Sequence, residues 1–239
     1  MSKKNVMKLN KYQRKIILDM LIGDGLLKTD GRLQIKHSVK QEEYLLWKNK
    51  LLTDAGIKTH VRYAEGLSFG KPSKTIILTT EACIANKHIR HWLYRPKKFI
   101  FYPSFFKHLD DLSIAIWYMD DGAFNKYRTK TNSINLGHIS LSTYVPEYQN
   151  KLIIEFFKER YDIDFKIVYY GNKGLTYIST KTADATKKFL GLVTPYVREV
   201  SCLVYKIDKN IFLRDIVNTL NTKNNAVMLN SEAGDTLSE

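Results

Sequence analysis

Cysteine is nearly missing from the 239 residues, with Cys83 and Cys202 the two present. Two thiols so far apart make neither a disulfide framework nor a zinc site, so both are expected to be plain buried thiols and the protein intracellular. No apolar run approaches the roughly 20 residues that a membrane-crossing helix needs. The basic start, Lys3-Lys4, leads into polar residues instead of the apolar core of a signal peptide. Acidic residues are in deficit as well, 24 Asp and Glu against 38 Lys and Arg, and the resulting net charge of +14 calls for a polyanionic partner. Duplex DNA or structured RNA comes first.

What the chain does have is apolar material for a sizeable core, 44% of its residues, in an arrangement that occurs twice. Lys11 to Gly25 places Ile17, Met20, Leu21 and Asp24 at the spacing of one helical face. Arg32 to His37 alternates like a strand with one wet face, and Lys40 to Ala55 reads as a helix stopped by Gly56. Strands at Lys58–Tyr63 and Lys74–Thr79 and a helix at Glu81–Tyr94 come next. From Ile114 the same order returns: a helix to Asp121-Gly122, strands at Ala123–Tyr127 and Ile134–Ser142, and a helix at Glu147–Tyr161. Strands at Phe165–Tyr170 and Leu175–Ser179 and a helix to Thr194 complete it. Asp24 and Asp121 lie 97 positions apart, Thr75 and Thr176 101, which marks a duplicated domain and not a solenoid. The halves are expected at residues 9–95 and 112–215, joined by an aromatic-rich, packed connection at 96–111. The polar tail at 221–239 is expected to be disordered.

Both first helices run down an apolar face to an aspartate: Ile17, Met20 and Asp24 in one, Ile114, Trp117 and Asp121 in the other, at the same offsets. Two such helices packed on each other bring both carboxylates to one end, a site for divalent metal. A single Asp-Gly is more often an ordinary helix-ending turn. Two copies opening equivalent units of a basic chain reverse that balance.

The segments Ile17-Leu18-Asp19-Met20-Leu21-Ile22-Gly23-Asp24-Gly25 and Ile114-Ala115-Ile116-Trp117-Tyr118-Met119-Asp120-Asp121-Gly122 resemble the paired motifs of the LAGLIDADG homing endonucleases, and the run Arg32–Leu52 resembles the stretch after the first motif in that family. The resemblance covers about residues 9–215. It implies an α+β fold of two pseudo-symmetric αββαββα halves, packed through their motif helices into a saddle of antiparallel sheets over DNA. It also implies site-specific, staggered double-strand cleavage by a monomer. Asp24 and Asp121 become the metal-binding acids, with Gly23 and Asp120 offering backbone carbonyls. Lys98, or Lys97 in its place, and Lys206 become the active-site lysines, although surface charge is an equally good reading for either. Oxygen ligands suit Mg²⁺, with Mn²⁺ as a substitute. The third motif position, usually small, is Asp19 here and Ile116 in the second copy; Asp19, about 140° around the helix from Asp24, is expected to face away from the helix interface.

Arg32, Gln34 and Lys36 share one strand face, as do Lys58, His60 and Arg62, and Lys74 extends that surface. Lys126, Arg128, Asn135, Ser140, Ser142 and Lys166 are the second half's candidates. A two-stranded ribbon fits the major groove, where such residues read base edges; a wet basic face touching phosphate alone competes with that reading. His37, at the turn into the next helix, lies near the active-site water by the same resemblance, with Gln41 as a weaker partner. His88 and His91, three apart on a helix, lack a partner set for metal. A maturase that folds its host intron RNA, or a DNA-binding regulator with a dead site, remains as an alternative function.

Overall fold

Helix α1 (Lys11–Leu21) starts where the sequence can cap it. The Asn10 side chain accepts from the Gln13 N–H at 2.8 Å, and the Gln13 side chain returns the bond to the Asn10 N–H at 3.0 Å. Its counterpart α5 (Asp111–Asp121) begins with the same device built from Asp110 and Ser113. Ile16 to Leu21 and Ser113 to Met119 are buried without interruption, because each helix is enclosed by its own half on one side and by the other helix on the other. The computed structural model describes residues 9–68, 70–95, 98–128, 134–170 and 175–207. The expected disordered tail, together with Lys97 and Lys126, Arg128 and Asn135 as side chains, lies outside the described residues.

After α1 come β1 (Leu26–Leu27), β2 (Leu33–Ser38), α2 (Glu42–Asp54), β3 (Thr59–Ser68), β4 (Lys71–Thr80) and α3 (Ile84–Leu93). The short pair β5 (Tyr94–Arg95) and β6 (Lys98–Phe99) and the helix α4 (Pro103–Phe106) lead to α5. The second half continues with β7 (Gly122–Arg128), β8 (Ile134–Leu141), α6 (Glu147–Tyr161), β9 (Phe165–Tyr170), β10 (Leu175–Thr180), α7 (Ala183–Val197) and a 3-10 turn at Ser201–Lys206. The two four-stranded sheets are antiparallel and ordered alike, β1-β2-β4-β3 and β7-β8-β10-β9. Matching side-chain bonds mark the repeat: the Leu33 N–H donates to Thr80 Oγ1, and the Ile139 N–H to Thr180 Oγ1, each at 3.0 Å. The molecule is thus an α+β protein of two pseudo-symmetric halves.

Aromatic residues pack between α4, α5 and α6. Phe101 stacks on Trp117 at 5.4 Å between ring centres and Phe106 on Phe156 at 4.9 Å, while the Phe101 N–H donates to Gln149 Oε1. The structure departs from the sequence reading in a few places. α1 stops at Leu21, and a turn carries the chain to Gly25, whose N–H reaches the Met20 carbonyl at 2.9 Å. A Cβ on Gly25 would collide with that carbonyl. The two-residue β1 is too short to alternate, and the β3–β4 hairpin is longer than its apolar alternation, turning at Gly70 with φ 77°. Helix α7 runs on through Pro195 to Val197. Cys83 is buried as expected, but Cys202 is partly exposed because it sits on the surface turn bound by Glu43.

Candidate active site between the two motif helices

Helices α1 and α5 pack so closely that residue 23 has no room for a side chain. A Cβ there would overlap the Asp120 carboxylate and come within 2.6 Å of the Asp120 Cβ. Glycine is therefore dictated by its partner on the opposite helix. Asp120 uses the space: its Oδ2 crosses the interface and accepts the Asp24 N–H at 2.9 Å.

Asp120 is fully buried as a side chain, and so is the cation beside it. Lys48 Nζ, from α2, lies 2.6 Å from Oδ1 and 2.8 Å from Oδ2. Burial pushes the Asp120 carboxyl up, but the Lys48 charge and the bonds from Lys48 and the Asp24 N–H more than offset it, so its affinity for a proton falls below the ordinary carboxylate range. Lys48 also sits 3.3 Å from His37 Nε2 and 4.3 Å above the Tyr44 ring. Burial, and then the Lys48 charge, drive His37 down to about 4, so the ring is neutral at pH 7. An ammonium only donates, which makes Nε2 the acceptor and places the ring proton on Nδ1, 3.6 Å from Asp24 Oδ2.

The two acids expected to bind metal stand at the mouth of this cluster. Burial pushes Asp24 up to about 6, with the Asp120 charge adding to it. Asp121 goes up to about 7, again through burial first and then the charges of Asp120 and Asp24. Carboxylates raised by burial and by neighbouring negative charge are stabilised by a cation, and a hard divalent ion fits oxygen ligands of this kind. Asp24, His37 and Asp120 also have ligand atoms within 4.8 Å of one another. The Asp120 carboxylate is nevertheless committed to Lys48 and the Asp24 amide.

Lys206 arrives on the Ser201–Lys206 turn, which Glu43 of α2 fastens by accepting the Ser201 N–H at 2.7 Å and the Cys202 N–H at 2.9 Å. It is buried, and its Nζ points at the carboxyl end of α5, donating to the carbonyls of Met119 at 2.5 Å, Gly122 at 3.0 Å, Tyr118 at 3.2 Å and Asp120 at 3.3 Å. Tyr118 Oη returns a bond to the Lys206 carbonyl. The lysine thus caps the helix that carries Asp121, and it shares the Asp120 carbonyl expected to face metal. Lys98 is placed by its backbone in β6, and its side chain lies outside the described residues, as does Lys97.

Asp19 corrects the sequence reading. It does not face away from the interface but is fully buried in it, taking Lys15 Nζ at 2.6 Å on Oδ2 and the Ser113 hydroxyl of α5 at 2.6 Å on Oδ1. Lys15 also reaches Asp110 across the interface at 2.6 Å. Helical angle is a poor guide at this position because a helix enclosed on both sides has no outward face for Asp19.

On the first sheet, the register lines up Gln34, Thr79 and His60 in one row and Lys36, Ile77 and Arg62 in the next. Arg32, Lys36, His60 and Arg62 are exposed, as is Lys58 just before β3, and Gln34 is half-buried. Lys74 leaves this surface: its register puts it on the side of Ile76 and Leu78, ion-paired to Glu65 at 2.9 Å. His37 belongs to the buried cluster and not to the open face. On the second sheet Ala123, Ser140, Ser179 and Lys166 form the matching row, and the Asn125 amide donates to Ser140 Oγ at 2.9 Å. Ser142 comes directly after β8, its N–H held by the Asp121 carbonyl at 3.0 Å. The sequence reading missed Lys48; a lysine on the apolar face of a helix with Tyr44, Leu45 and Leu52 was the available signal.

Residues 14–189 match the model of the LAGLIDADG DNA endonuclease family, and the chain belongs to that family. It is similar to the solved homing endonuclease I-WcaI bound to its DNA recognition sequence, with a TM-score of 0.69 at 21% identity, covering 85% of this chain and 89% of that one. Among curated proteins it is 30% identical over 202 residues to protein RecA of Mycobacterium shimoidei, covering 79% of this chain and 45% of the relative. It is 29% identical over 213 residues to protein RecA of Mycobacterium gastri, covering 83% and 48%. The chain spans less than half the length of these relatives. No helix among the described residues is long and apolar enough to cross a membrane.

Proposed function

We propose that this chain acts as a monomeric, site-specific endonuclease that hydrolyses both strands of a long, asymmetric duplex DNA target with divalent metal, leaving a staggered break. The observation that carries the reading is the pair of acids, Asp24 and Asp121, brought near each other where the two motif helices end and each raised toward neutrality by burial and then by neighbouring negative charge. The open rows of the two sheets supply the basic surface for the duplex: Arg32, Lys36, Lys58, His60 and Arg62 on one, Lys166 with the half-buried Ser140 on the other. One chain supplies both halves, so no second copy is needed to complete the site.

Asp24 and Asp121 would hold Mg²⁺ ions, or Mn²⁺ in their place, and the bound ions would make water nucleophilic and neutralise the leaving oxygen on each strand. The chain's own residues set the stage for that. The Asp120 carboxylate fixes the Asp24 backbone, Lys206 fixes the end of α5 next to Asp121, and neutral His37 stands 3.6 Å from the Asp24 carboxylate. Lys98 is the candidate for positive charge beside the reacting phosphate on the β6 side.

The test incubates the protein with duplex DNA spanning the uninterrupted insertion locus, with Mg²⁺ and without it. Staggered cutting that disappears in Asp24→Asn and in Asp121→Asn supports the assignment, and cutting retained in both variants overturns it. An RNA maturase or an inactive regulator leaves that duplex intact under Mg²⁺.

A further inference from the structure

The two acids at the centre of the site are equivalent by repeat, but the groups that hold them are not. The residue before Asp24 is Gly23, and the residue before Asp121 is Asp120. Counting from the first residue of each helix, Glu42 of α2 and Glu147 of α6, Lys48 corresponds to Ile153, which is fully buried. Counting from the matched bonds of Leu33 and Ile139, His37 corresponds to Thr143, whose hydroxyl donates to Asn150 Oδ1 at 2.7 Å. Carboxylate, ammonium and imidazole, drawn from both halves, therefore form a chain around Asp24, and the symmetry-related positions around Asp121 hold a glycine, an isoleucine and a threonine.

That chain has a direction. Lys48 has three N–H bonds to give and sends them to Asp120 Oδ1, Asp120 Oδ2 and His37 Nε2, at 2.6, 2.8 and 3.3 Å. From there it arrives at Asp24 through Asp120 Oδ2, which accepts the backbone N–H at 2.9 Å, while His37 Nδ1 stands 3.6 Å from the carboxylate, beyond hydrogen-bond distance. Lys48 and the Asp120 carboxylate are fully buried, so no water competes for the bonds between them, and the Asp120 oxygen that accepts the Asp24 N–H is held from the buried side. Asp121 is served differently, by Lys206 acting on the carbonyls around it.

We propose that Lys48 and Asp120 are positioning residues for Asp24 alone, and that the protein consequently cuts the two strands of its target with unequal dependence on this pair. The inference rests on the endonuclease reading above. Loosening Asp24 moves one acid relative to one scissile phosphate, and a displacement of about 1 Å is enough to slow a positioned reaction roughly 100-fold. The strand served by Asp121 keeps its geometry through Lys206.

The experiment uses full-length protein and a duplex selected for wild-type cleavage from a randomised DNA library, end-labelled on each strand in turn. Single-turnover rates in Mg²⁺ are read strand by strand for the wild type, Lys48→Met, Asp120→Asn and the double variant Lys48→Met/Asp120→Leu. Each single variant leaves one buried charged group without its counter-charge, whereas the double variant removes both buried charges together; its thermal unfolding and its DNA affinity in Ca²⁺ are measured alongside. The expected result is a folded, DNA-binding double variant in which one strand is cut roughly 100-fold more slowly and the other within a few-fold of wild type, so that nicked duplex accumulates. Equal slowing of both strands, or full recovery of both in the folded double variant, overturns the proposal and leaves the endonuclease reading standing. A wild-type protein that selects no cleavable duplex overturns both.

Discussion

Removing the cation from the end of α5 separates a structural lysine from a purely chemical one. In Lys206→Met the stem is kept and the ammonium is lost, leaving the carbonyls of Tyr118, Met119, Asp120 and Gly122 without the donor they share. A partly buried cation at a helix C-terminus contributes up to about 2 kcal/mol, and buried hydrogen bonds to a charged group contribute about 1.5–3 kcal/mol. These terms overlap, and burial already lowers the ammonium's affinity for its proton, so we expect a loss of about 3 kcal/mol in all. For a protein of this size each kcal/mol moves the melting temperature by about 2–4 °C, which puts the expected fall near 10 °C. Differential scanning calorimetry at pH 7 without metal reads this directly. A melting temperature within about 2 °C of wild type, roughly half a kcal/mol, would show that the carbonyls do not depend on Lys206 and that its role lies in the chemistry alone.

The same geometry sets three further outcomes. Gly23→Ala forces a methyl group into the Asp120 carboxylate, which Lys48 and the Asp24 N–H hold in place, so chemical denaturation should show a loss of about 2–5 kcal/mol; a loss below about 1 kcal/mol would mean that the helices part easily. Burial raises Asp19 to about 6, so the folded protein keeps a proton there that the unfolded chain releases near 3.8. Stability should therefore fall by about 3 kcal/mol from this group as pH rises from about 4 to 6, and Asp19→Asn should remove that part of the pH profile; an unchanged profile refutes the assignment. Asp24 and Asp121, at about 6 and about 7, must lose protons to take a cation, so Mn²⁺ affinity by titration calorimetry should drop as pH falls from about 8 to about 5.5, and a flat affinity would count against these two ligands.

The repeat, the two Asp-Gly helices and the basic strand faces were legible because each leaves a periodic trace: apolar residues at helical offsets before Asp24 and Asp121, alternation from Arg32 to Lys36. What the sequence did not disclose depends on residues far apart that meet only when the halves dock. Lys48 and Asp120 are 72 positions apart, and Asp19 and Ser113 are 94 apart. A lysine among apolar neighbours on α2 looks like an ordinary surface residue until its partner on the other helix is known. Asp19 misled for the opposite reason: its angle from Asp24 was sound, but unbroken burial of α1 from Ile16 to Leu21 gave that angle no outward meaning. Lys74 was misplaced by reading a basic residue near the strand's end without its register. Lys206 was singled out by the family resemblance, and only the fold revealed how many carbonyls it holds.

The meeting of Gly23 with the Asp120 carboxylate bears on how such a molecule can be assembled. In a dimer of identical halves, whatever stands at that position faces its own copy: two glycines would leave a gap, and two aspartates would press like charges together in a space with room for one. Joining the halves in a single polypeptide releases each from being the other's mirror, so that one can provide the hollow and the other the group that fills it.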